Sequence, residues 1–147
     1  MWDFERSRMK NIYSKNILEW LELDAGIYPD KAAFGDPEGD ITFKELVRDA
    51  KGIGSYLSGR IEPNLPVAFF LEKSCLAVKG MFGAIYARGF YSVMDVRSPA
   101  SRMMKMLEVL KPAIILTDRK NCEAAAEFSA VAEVVCIEDI LDKSEID

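Results

Sequence analysis

The feature of this sequence that most constrains its fold is a regular alternation of apolar and helical segments between residues 65 and 137. Residues 65–71 (LPVAFFL) are almost continuously apolar, which is typical of a strand that is buried on both faces of a parallel sheet. Strand–helix–strand units of this kind connect parallel strands through right-handed crossovers. We therefore expect an α/β fold, a mainly parallel, Rossmann-like three-layer α/β/α sandwich with about four core strands.

The individual elements of this alternation can be assigned from their apolar spacing and their caps. Ser98 is expected to cap the second helix of the series, with Pro99 at its first helical position. The predicted strands are residues 65–71, 90–94, 113–117 and 133–137, and the predicted helices are residues 74–88, 99–111 and 121–130.

A smaller unit is predicted in front of this sheet. Residues 16–25 carry apolar side chains at helical spacing and are followed by Gly26, a common helix stop. Two short extended segments, residues 32–35 and 41–43, flank the turn-forming sequence DPEGD at residues 36–40. This pattern predicts a small N-terminal β-hairpin.

An amphipathic helix is predicted directly after the hairpin. Thr42 and Glu45 are three residues apart and form a predicted capping box, in which each side chain accepts the backbone N–H of the other residue. Apolar residues then repeat at helical spacing as far as Leu57. Gly52 and Gly54 lie inside this helix, whereas a dinucleotide-binding loop needs its glycines between a strand and a helix start. We interpret them as sites of close helix packing.

Composition excludes several classes of function. The 147 residues fit one domain, and 50% of them are hydrophobic, so disorder is not expected. A net charge of −5 disfavours nucleic-acid binding, which uses a basic surface. The absence of histidine removes Ser-His-Asp and Cys-His catalysis and any histidine-containing zinc site. No apolar run approaches the ~20 residues of a membrane span, and we expect a cytoplasmic protein with no membrane partner.

The cysteines suggest packing roles in a reducing compartment. Cys75, Cys122 and Cys136 are an odd number and include no CxxC pair, so neither a disulfide framework nor a metal knuckle is indicated. Cys75 and Cys136 lie in apolar sequence and are interpreted as small core residues.

Two ordered segments resemble a known enzyme family. The sequence ITFKEL at residues 41–46 is similar to the Leu-Ser/Thr-Tyr-x-Glu-Leu segment of the adenylate-forming, or AMP-binding, enzymes. GFYSVMD at residues 89–95, followed by SPASR at residues 98–102, resembles that family's Gly-x-x-Tyr-Val-Pro-Leu-Asp and Tyr-Pro-x-x-Arg segments. The resemblance covers roughly residues 16–118 and is strongest to amino-acid adenylation domains and D-alanine–carrier-protein ligases.

The resemblance implies an activity for the parent enzyme. Such enzymes use ATP and Mg²⁺ to join a carboxylic acid, here an amino acid, to AMP with loss of pyrophosphate. They then pass the acyl group to the thiol of a carrier protein or of coenzyme A. These expectations come from the resemblance, since the spacing and composition alone indicate only an α/β domain.

The departures from the family pattern locate the chain within such an enzyme. The proline of the second segment is Val93 here. The family's Gly-rich phosphate loop, magnesium segment, ribose-binding aspartate and C-terminal lysine have no counterpart in residues 1–147. We therefore expect the N-terminal part of an adenylate-forming enzyme, whose partner is the remainder of that enzyme. No residue of this chain is assigned a catalytic, cofactor-binding or metal-binding role, and the chain alone is expected to be inactive.

The domain boundaries and the association state follow from the same interpretation. Residues 1–15 are expected to be an N-terminal extension, residues 16–137 the α/β subdomain, and residues 138–147 a loosely held acidic tail. An excised subdomain should expose apolar surface, so self-association is predicted. Trp2, Phe4 and Tyr13 are candidates for that surface.

Two alternative functions remain open at this point. Asp95 follows a strand as the phosphoacceptor of a response-regulator receiver does, and Thr117 ends a later strand as the switch threonine does. A receiver also needs an acidic pair that holds Mg²⁺ and a lysine after its fifth strand, whereas Glu72 is a single acid and the last strand offers no lysine. The other alternative is a non-catalytic interaction module.

The strand-end residues themselves have simple structural interpretations. Asp95 and Asp118 are expected to accept hydrogen bonds from nearby loop or helix amides, as capping carboxylates do. Arg102 is interpreted as an ion-pair partner for a neighbouring acid. The turns at residues 72–74, 95–98 and 117–121 contain no glycine, so none of them predicts a phosphate-binding loop.

Overall fold

The computed structural model describes residues 16–144, and every structural statement below refers to that range. It contains a four-stranded parallel sheet with helices on both faces and a separate two-stranded antiparallel hairpin. In chain order the elements are α1 (Ile17–Ile27), β1 (Ala32–Asp36), β2 (Gly39–Thr42), α2 (Phe43–Ser58), β3 (Pro66–Phe70), α3 (Cys75–Tyr86), β4 (Phe90–Val93), α4 (Ala100–Leu110), β5 (Ile114–Thr117), α5 (Cys122–Ala125), a 3₁₀ turn (Ala126–Phe128), β6 (Glu133–Cys136) and α6 (Ile137–Ser144).

The parallel sheet has the strand order β4-β3-β5-β6. Val67 of β3 lies beside Tyr91 of β4 on one side and beside Ile114 of β5 on the other. The order confirms the predicted mainly parallel α/β sandwich, and β1 and β2 form the predicted hairpin. None of the helices described combines the length and hydropathy that a membrane crossing requires.

Side chains of the central strand alternate between two hydrophobic cores. Val67 and Phe69 are fully buried and pack with residues of α2, α3 and α6. Ala68 and Phe70 point to the opposite face and pack with α4 and with the segment around Phe128. The edge-to-face contact of Phe70 and Phe128, with ring centroids 5.7 Å apart, belongs to this second core. Burial of β3 on both faces explains its continuous apolar sequence.

Close packing of α2 against α3 depends on glycine. A Cβ atom at Gly54 would lie 2.6 Å from Cβ of Tyr86 and 3.2 Å from the carbonyl oxygen of Gly83. A Cβ atom at Gly83 would in turn overlap Ile53. The packing interpretation is therefore confirmed for Gly54. Gly52 is different, because a Cβ atom there would meet only Ser144, at an ordinary distance of 3.5 Å.

The hairpin and α1 close a small third core. Leu21, Ile41, Leu46 and Cys75 are its buried members. The predicted capping box is confirmed, since Thr42 Oγ1 accepts the Glu45 N–H at 3.2 Å and Glu45 Oε2 accepts the Thr42 N–H at 2.8 Å. The box fixes the start of α2 against the end of β2 and so holds the hairpin next to the sheet.

Three sequence predictions need correction. Residues 138–144 are not a loosely held tail, because they belong to α6, in which Ile137 and Ile140 are buried against the sheet and α2. Residues 121–130 form only the short α5 and a 3₁₀ turn instead of one continuous helix. Helix α4 begins at Ala100 with Pro99 as its N-cap, and Ser98 makes no capping bond. The predicted extension at residues 1–15, with Trp2, Phe4 and Tyr13, lies outside the described residues, as do residues 145–147.

Candidate functional site at the carboxyl edge of the sheet

The topology of the sheet marks one place where a ligand would be expected. After β3 the chain passes to β4 on one side of the sheet, and it then returns to β5 on the other side. Ligands of doubly wound α/β proteins bind beyond the carboxyl ends of the strands at such a switch point. The loops that meet there are residues 71–74 after β3 and residues 118–121 after β5.

The N-terminus of α3, which follows β3, is already occupied by a carboxylate of the same chain. Asp36, at the end of β1, accepts the backbone N–H of Cys75 through Oδ2 at 2.8 Å. The turn N–H of Glu38 binds its other oxygen at 2.8 Å. The Ser74 hydroxyl accepts the N–H of Ala77 at 3.1 Å and completes the cap. In nucleotide-binding sheets, the corresponding helix end is the usual position of a phosphate group.

The hydrogen bonds to Asp36 also favour the ionised form of its carboxyl group. The Cys75 N–H, followed by the Glu38 N–H, lowers the pKa of the Asp36 carboxyl below its ordinary value. Asp36 therefore stays ionised at neutral pH and acts as an internal anion at the positive end of α3. Sequence reasoning placed Asp36 only in a turn, because the contact with Cys75 spans 39 residues of chain.

The loop after β5 is tied to the loop after β3 by Glu72. Its carboxylate accepts the Asn121 side-chain N–H at 3.0 Å and lies 3.3 Å from the Lys120 ammonium. These two contacts, that of Asn121 first, lower the pKa of Glu72. Asp118 accepts the Asn121 backbone N–H at 2.8 Å, which confirms its interpretation as a capping carboxylate. Thr117 is fully buried and donates to the Phe70 carbonyl at 2.6 Å.

The pocket at the switch point is open and mainly acidic, with a volume of about 600 Å³. Its lining carries twice as many carboxylates as ammonium groups, so a triphosphate that entered would meet net negative charge. Among the described residues, no group of three or more acids and cysteines has the geometry of a metal site. The charged lining consists of Asp36, Glu38, Asp40, Glu72, Asp118 and Glu138 with Lys73, Lys79 and Lys120.

Asp95 behaves as a loop cap. Its carboxylate accepts the Arg97 backbone N–H at 3.0 Å and the Arg97 Nε–H at 3.2 Å. Both bonds lower the pKa of Asp95, and the positive charge of Arg102 adds a smaller effect. The capping interpretation of Asp95 is confirmed. Nothing in residues 16–144 supports the receiver alternative, since no group of three or more acids or cysteines there could hold a metal ion.

A second open pocket, of about 590 Å³, lies beside β4. Its lining includes the apolar residues Phe69, Met81 and Val93 and the charged residues Glu72, Lys73, Asp95 and Arg97. Strand β4 is at the edge of the sheet, and Tyr91 remains 44% exposed there. The sequence predicted four strands without their order, so the exposure of this aromatic strand was not foreseen.

Comparison with known proteins agrees with this architecture. A family model described as AMP-binding enzyme matches residues 21–147. The chain is 25% identical to D-lysergyl-peptide-synthetase subunit 1 of Epichloe festucae var. lolii over 83% of its own length, and 26% identical to gramicidin S synthase 2 of Brevibacillus brevis over 86%. It spans only 3% of each of these relatives.

Solved structures of two kinds share the fold. The nonribosomal peptide synthetase FmoA3, solved with AMPPNP, superposes with a TM-score of 0.75 at 27% identity, covering 80% of this chain and 13% of that one. The o-succinylbenzoate coenzyme A synthetase MenE of Bacillus subtilis, in complex with ATP and magnesium, superposes with a TM-score of 0.72. That second match covers 82% of this chain and 33% of the other, and at 16% identity it concerns the fold alone.

Proposed function

We propose, because the chain belongs to the AMP-binding enzyme family, that it forms the N-terminal part of an ATP-dependent adenylate-forming ligase. The parent enzyme would use ATP and Mg²⁺ to activate a carboxylic acid, an amino acid in our proposal, as its acyl-adenylate. It would then transfer the acyl group to the thiol of a carrier protein or of coenzyme A. The name of one relative, D-lysergyl-peptide-synthetase subunit 1, supports the choice of an amino acid.

The arrangement at the switch point is the observation that carries the rest of the proposal. The helix end that could hold a phosphate is occupied by Asp36. Glu72 accepts hydrogen bonds from the side chains of Asn121 and Lys120. These groups organise the loops as a scaffold, and the Cys75 and Ala77 N–H groups, which a phosphate could otherwise bind, are taken by Asp36 and Ser74. We therefore propose that residues 1–147 alone do not activate an acid, and that the nucleotide chemistry is supplied by the remainder of the enzyme.

The edge of the sheet at β4 supports the proposed partners. Phe90, Tyr91 and Val93 are each close to half exposed, and within the described range β4 pairs only with β3. An exposed apolar edge strand of this kind is a template for pairing with another strand. We propose that the remainder of the enzyme covers it, and that the isolated chain associates with a second copy through the same edge.

Self-association of this kind has a direct test. Light scattering of the isolated chain over a range of concentrations should show a mass that rises towards the dimer. The variant Val93→Lys places a charge on the edge and should remain monomeric at the same concentrations. The matched control is Val131→Lys, at another exposed valine, which should associate as the parent chain does. A parent chain that stays monomeric at high concentration would contradict the proposal.

The proposed activity can be tested by amino-acid-dependent exchange of pyrophosphate into ATP. One arm uses the purified 147-residue chain, and the other uses the natural polypeptide captured from its source with an antibody raised against residues 16–144. We expect exchange in the captured material with at least one carboxylic acid, and none above background with the chain. Pyrophosphate exchange by the chain alone would refute the proposal that the remainder of the enzyme supplies the nucleotide chemistry. Inactive captured material would refute the ligase assignment.

A further inference from the structure

Two of the three cysteines are adjacent in space although they are distant in sequence. Cys122 is the first residue of α5, and Cys136 is the last residue of β6. The Cys136 thiol points at the Cys122 sulfur, and the two Sγ atoms are 2.8 Å apart. That separation is less than 1 Å longer than the S–S bond of about 2.05 Å. The sequence did not indicate this pair, because the two residues are not in a CxxC motif.

The surrounding backbone holds both cysteines in place. Cys136 lies beside Thr117 in the β5–β6 register. The chain between Thr117 and Cys122 is a short turn, fixed by the bond from the Asn121 N–H to Asp118 and by the bond from the Arg119 N–H to Glu138 at 3.1 Å. The close approach of the two sulfur atoms therefore follows from the sheet register and the loop, and it needs no rearrangement of either element.

We propose that Cys122 and Cys136 form a reversible intramolecular disulfide, which makes this joint between α5 and β6 a site of thiol–disulfide exchange. The oxidant is a low-molecular-weight disulfide. The Cys122 thiolate attacks one sulfur of the reagent and forms a mixed disulfide with it. The other sulfur of the reagent leaves as a thiol, which takes up the proton that Cys122 lost. Cys136 then loses its proton and attacks the Cys122 sulfur, which releases the second reagent thiol. Two electrons pass from the protein to the reagent, and one S–S bond is exchanged for another.

The environments of the two thiols set this order of events. Cys122 is partly exposed, whereas Cys136 is buried. Burial, with the neighbouring Cys122 and the acids Glu138 and Asp139, raises the pKa of the Cys136 thiol to about 12. Cys122 reacts first because it is the thiol that an oxidant can reach, whereas ionisation of the buried Cys136 is disfavoured. A mixed disulfide on Cys122 removes that thiol's contribution to the raised pKa of Cys136, which favours the closing step.

The bridge would tie α5 to the end of β6, just before α6. It would close a 15-residue loop, from Cys122 to Cys136, in the unfolded chain, and loops of that size restrict the denatured ensemble substantially. In a reducing compartment such a bridge forms only under oxidising conditions, as in redox-responsive proteins. Cys75 offers an internal comparison, because it is buried in the third core and its sulfur contacts the Gly39 carbonyl at 3.7 Å and no other cysteine.

The test is thiol counting on the 147-residue chain before and after incubation with oxidised glutathione, followed by denaturation in a thiol-blocking reagent. We expect three blocked cysteines in the reduced chain and one, Cys75, in the oxidised chain, with peptide mapping that joins Cys122 to Cys136. The melting temperature of the oxidised chain should rise on the order of 10 °C and return on reduction.

Two variants make the result specific. Cys75→Ala should still lose two thiols on oxidation, and Cys122→Ser should lose none and show no rise in melting temperature. Persistence of three free thiols in the oxidised parent chain would overturn the proposal. A stable glutathione adduct on Cys122, with Cys136 still free, would overturn it equally, because the closing step would then be shown not to occur.

Discussion

Substitution by alanine should have opposite effects on stability at two glycines of α2, Gly52 and Gly54, although they are only two residues apart. Gly54 faces α3, where a Cβ atom would lie 2.6 Å from Cβ of Tyr86 and 3.2 Å from the Gly83 carbonyl oxygen. Neither contact is the flexible end of a side chain, so the two helices must move apart. Gly52 faces Ser144 at 3.5 Å, where a methyl group fits without movement.

The magnitudes follow from these distances. Overpacking of this severity costs about 3 kcal/mol, at the upper end of the usual range, because backbone atoms oppose the methyl group. Replacing glycine by alanine in a helix interior recovers about 1 kcal/mol. We expect Gly54→Ala to lower the free energy of unfolding by about 2 kcal/mol and Gly52→Ala to raise it by about 1 kcal/mol.

Urea denaturation followed by circular dichroism measures both variants. For an m-value near 2 kcal/mol/M, the midpoint of Gly54→Ala should fall by about 1 M and that of Gly52→Ala should rise by about 0.5 M. An unchanged m-value is required for these shifts to report stability. If Gly54→Ala is as stable as Gly52→Ala, the reasoning on the close α2–α3 contact is wrong.

Three further perturbations test other contacts. Asp36→Asn should lower the urea midpoint at pH 7. The difference from the parent chain should narrow in acid, because the stabilisation that accompanies the lowered pKa of Asp36 is complete above the unfolded value of about 3.9 and is lost as the pH falls from there through the folded value. A difference that stays constant down to pH 3 would contradict this. Phe128→Ala removes a fully buried ring and should lower the free energy of unfolding by about 4 kcal/mol in the same assay. A loss below about 1 kcal/mol would show that the second core does not depend on this ring. Asp49→Ala should lower the free energy of unfolding by about 3 kcal/mol, because it removes the carboxylate that lies 2.8 Å from the largely buried Lys79 ammonium. A change close to zero would show that this ion pair does not stabilise the fold.

The local rules that governed the sequence predictions are visible in the structure. The apolar run of β3 correctly predicted a strand that is covered on both faces, and the Thr42–Glu45 spacing correctly predicted a capping box. Both predictions succeeded because each feature depends on residues that are close together in the chain. Helix α6 was missed because its three acidic residues, among eight in all, were read as the sign of a solvated tail. Its apolar residues, Ile137, Ile140 and Leu141, nevertheless follow the spacing of a helix face and could have identified it.

The features that were not predicted involve contacts between distant segments. The capping of α3 by Asp36 and the meeting of Cys122 with Cys136 depend on how the hairpin and β6 are placed, and no local pattern encodes that placement. The position of β4 at the sheet edge depends likewise on strand order, which periodicity does not determine. The candidate site could therefore be located at the strand ends from the sequence, but its internal pairing could not.

We propose that this chain acts as a scaffold and does not bind the nucleotide by itself. Titration of Mg-ATP into the 147-residue chain by isothermal calorimetry tests it most directly. A binding-competent truncation of a related adenylation domain, which keeps the family's phosphate loop, serves as the positive control. We predict no binding heat with the chain up to millimolar nucleotide, because Asp36 fills the anion position at α3 and the switch-point pocket is acidic. Saturable binding with a micromolar dissociation constant would contradict the account.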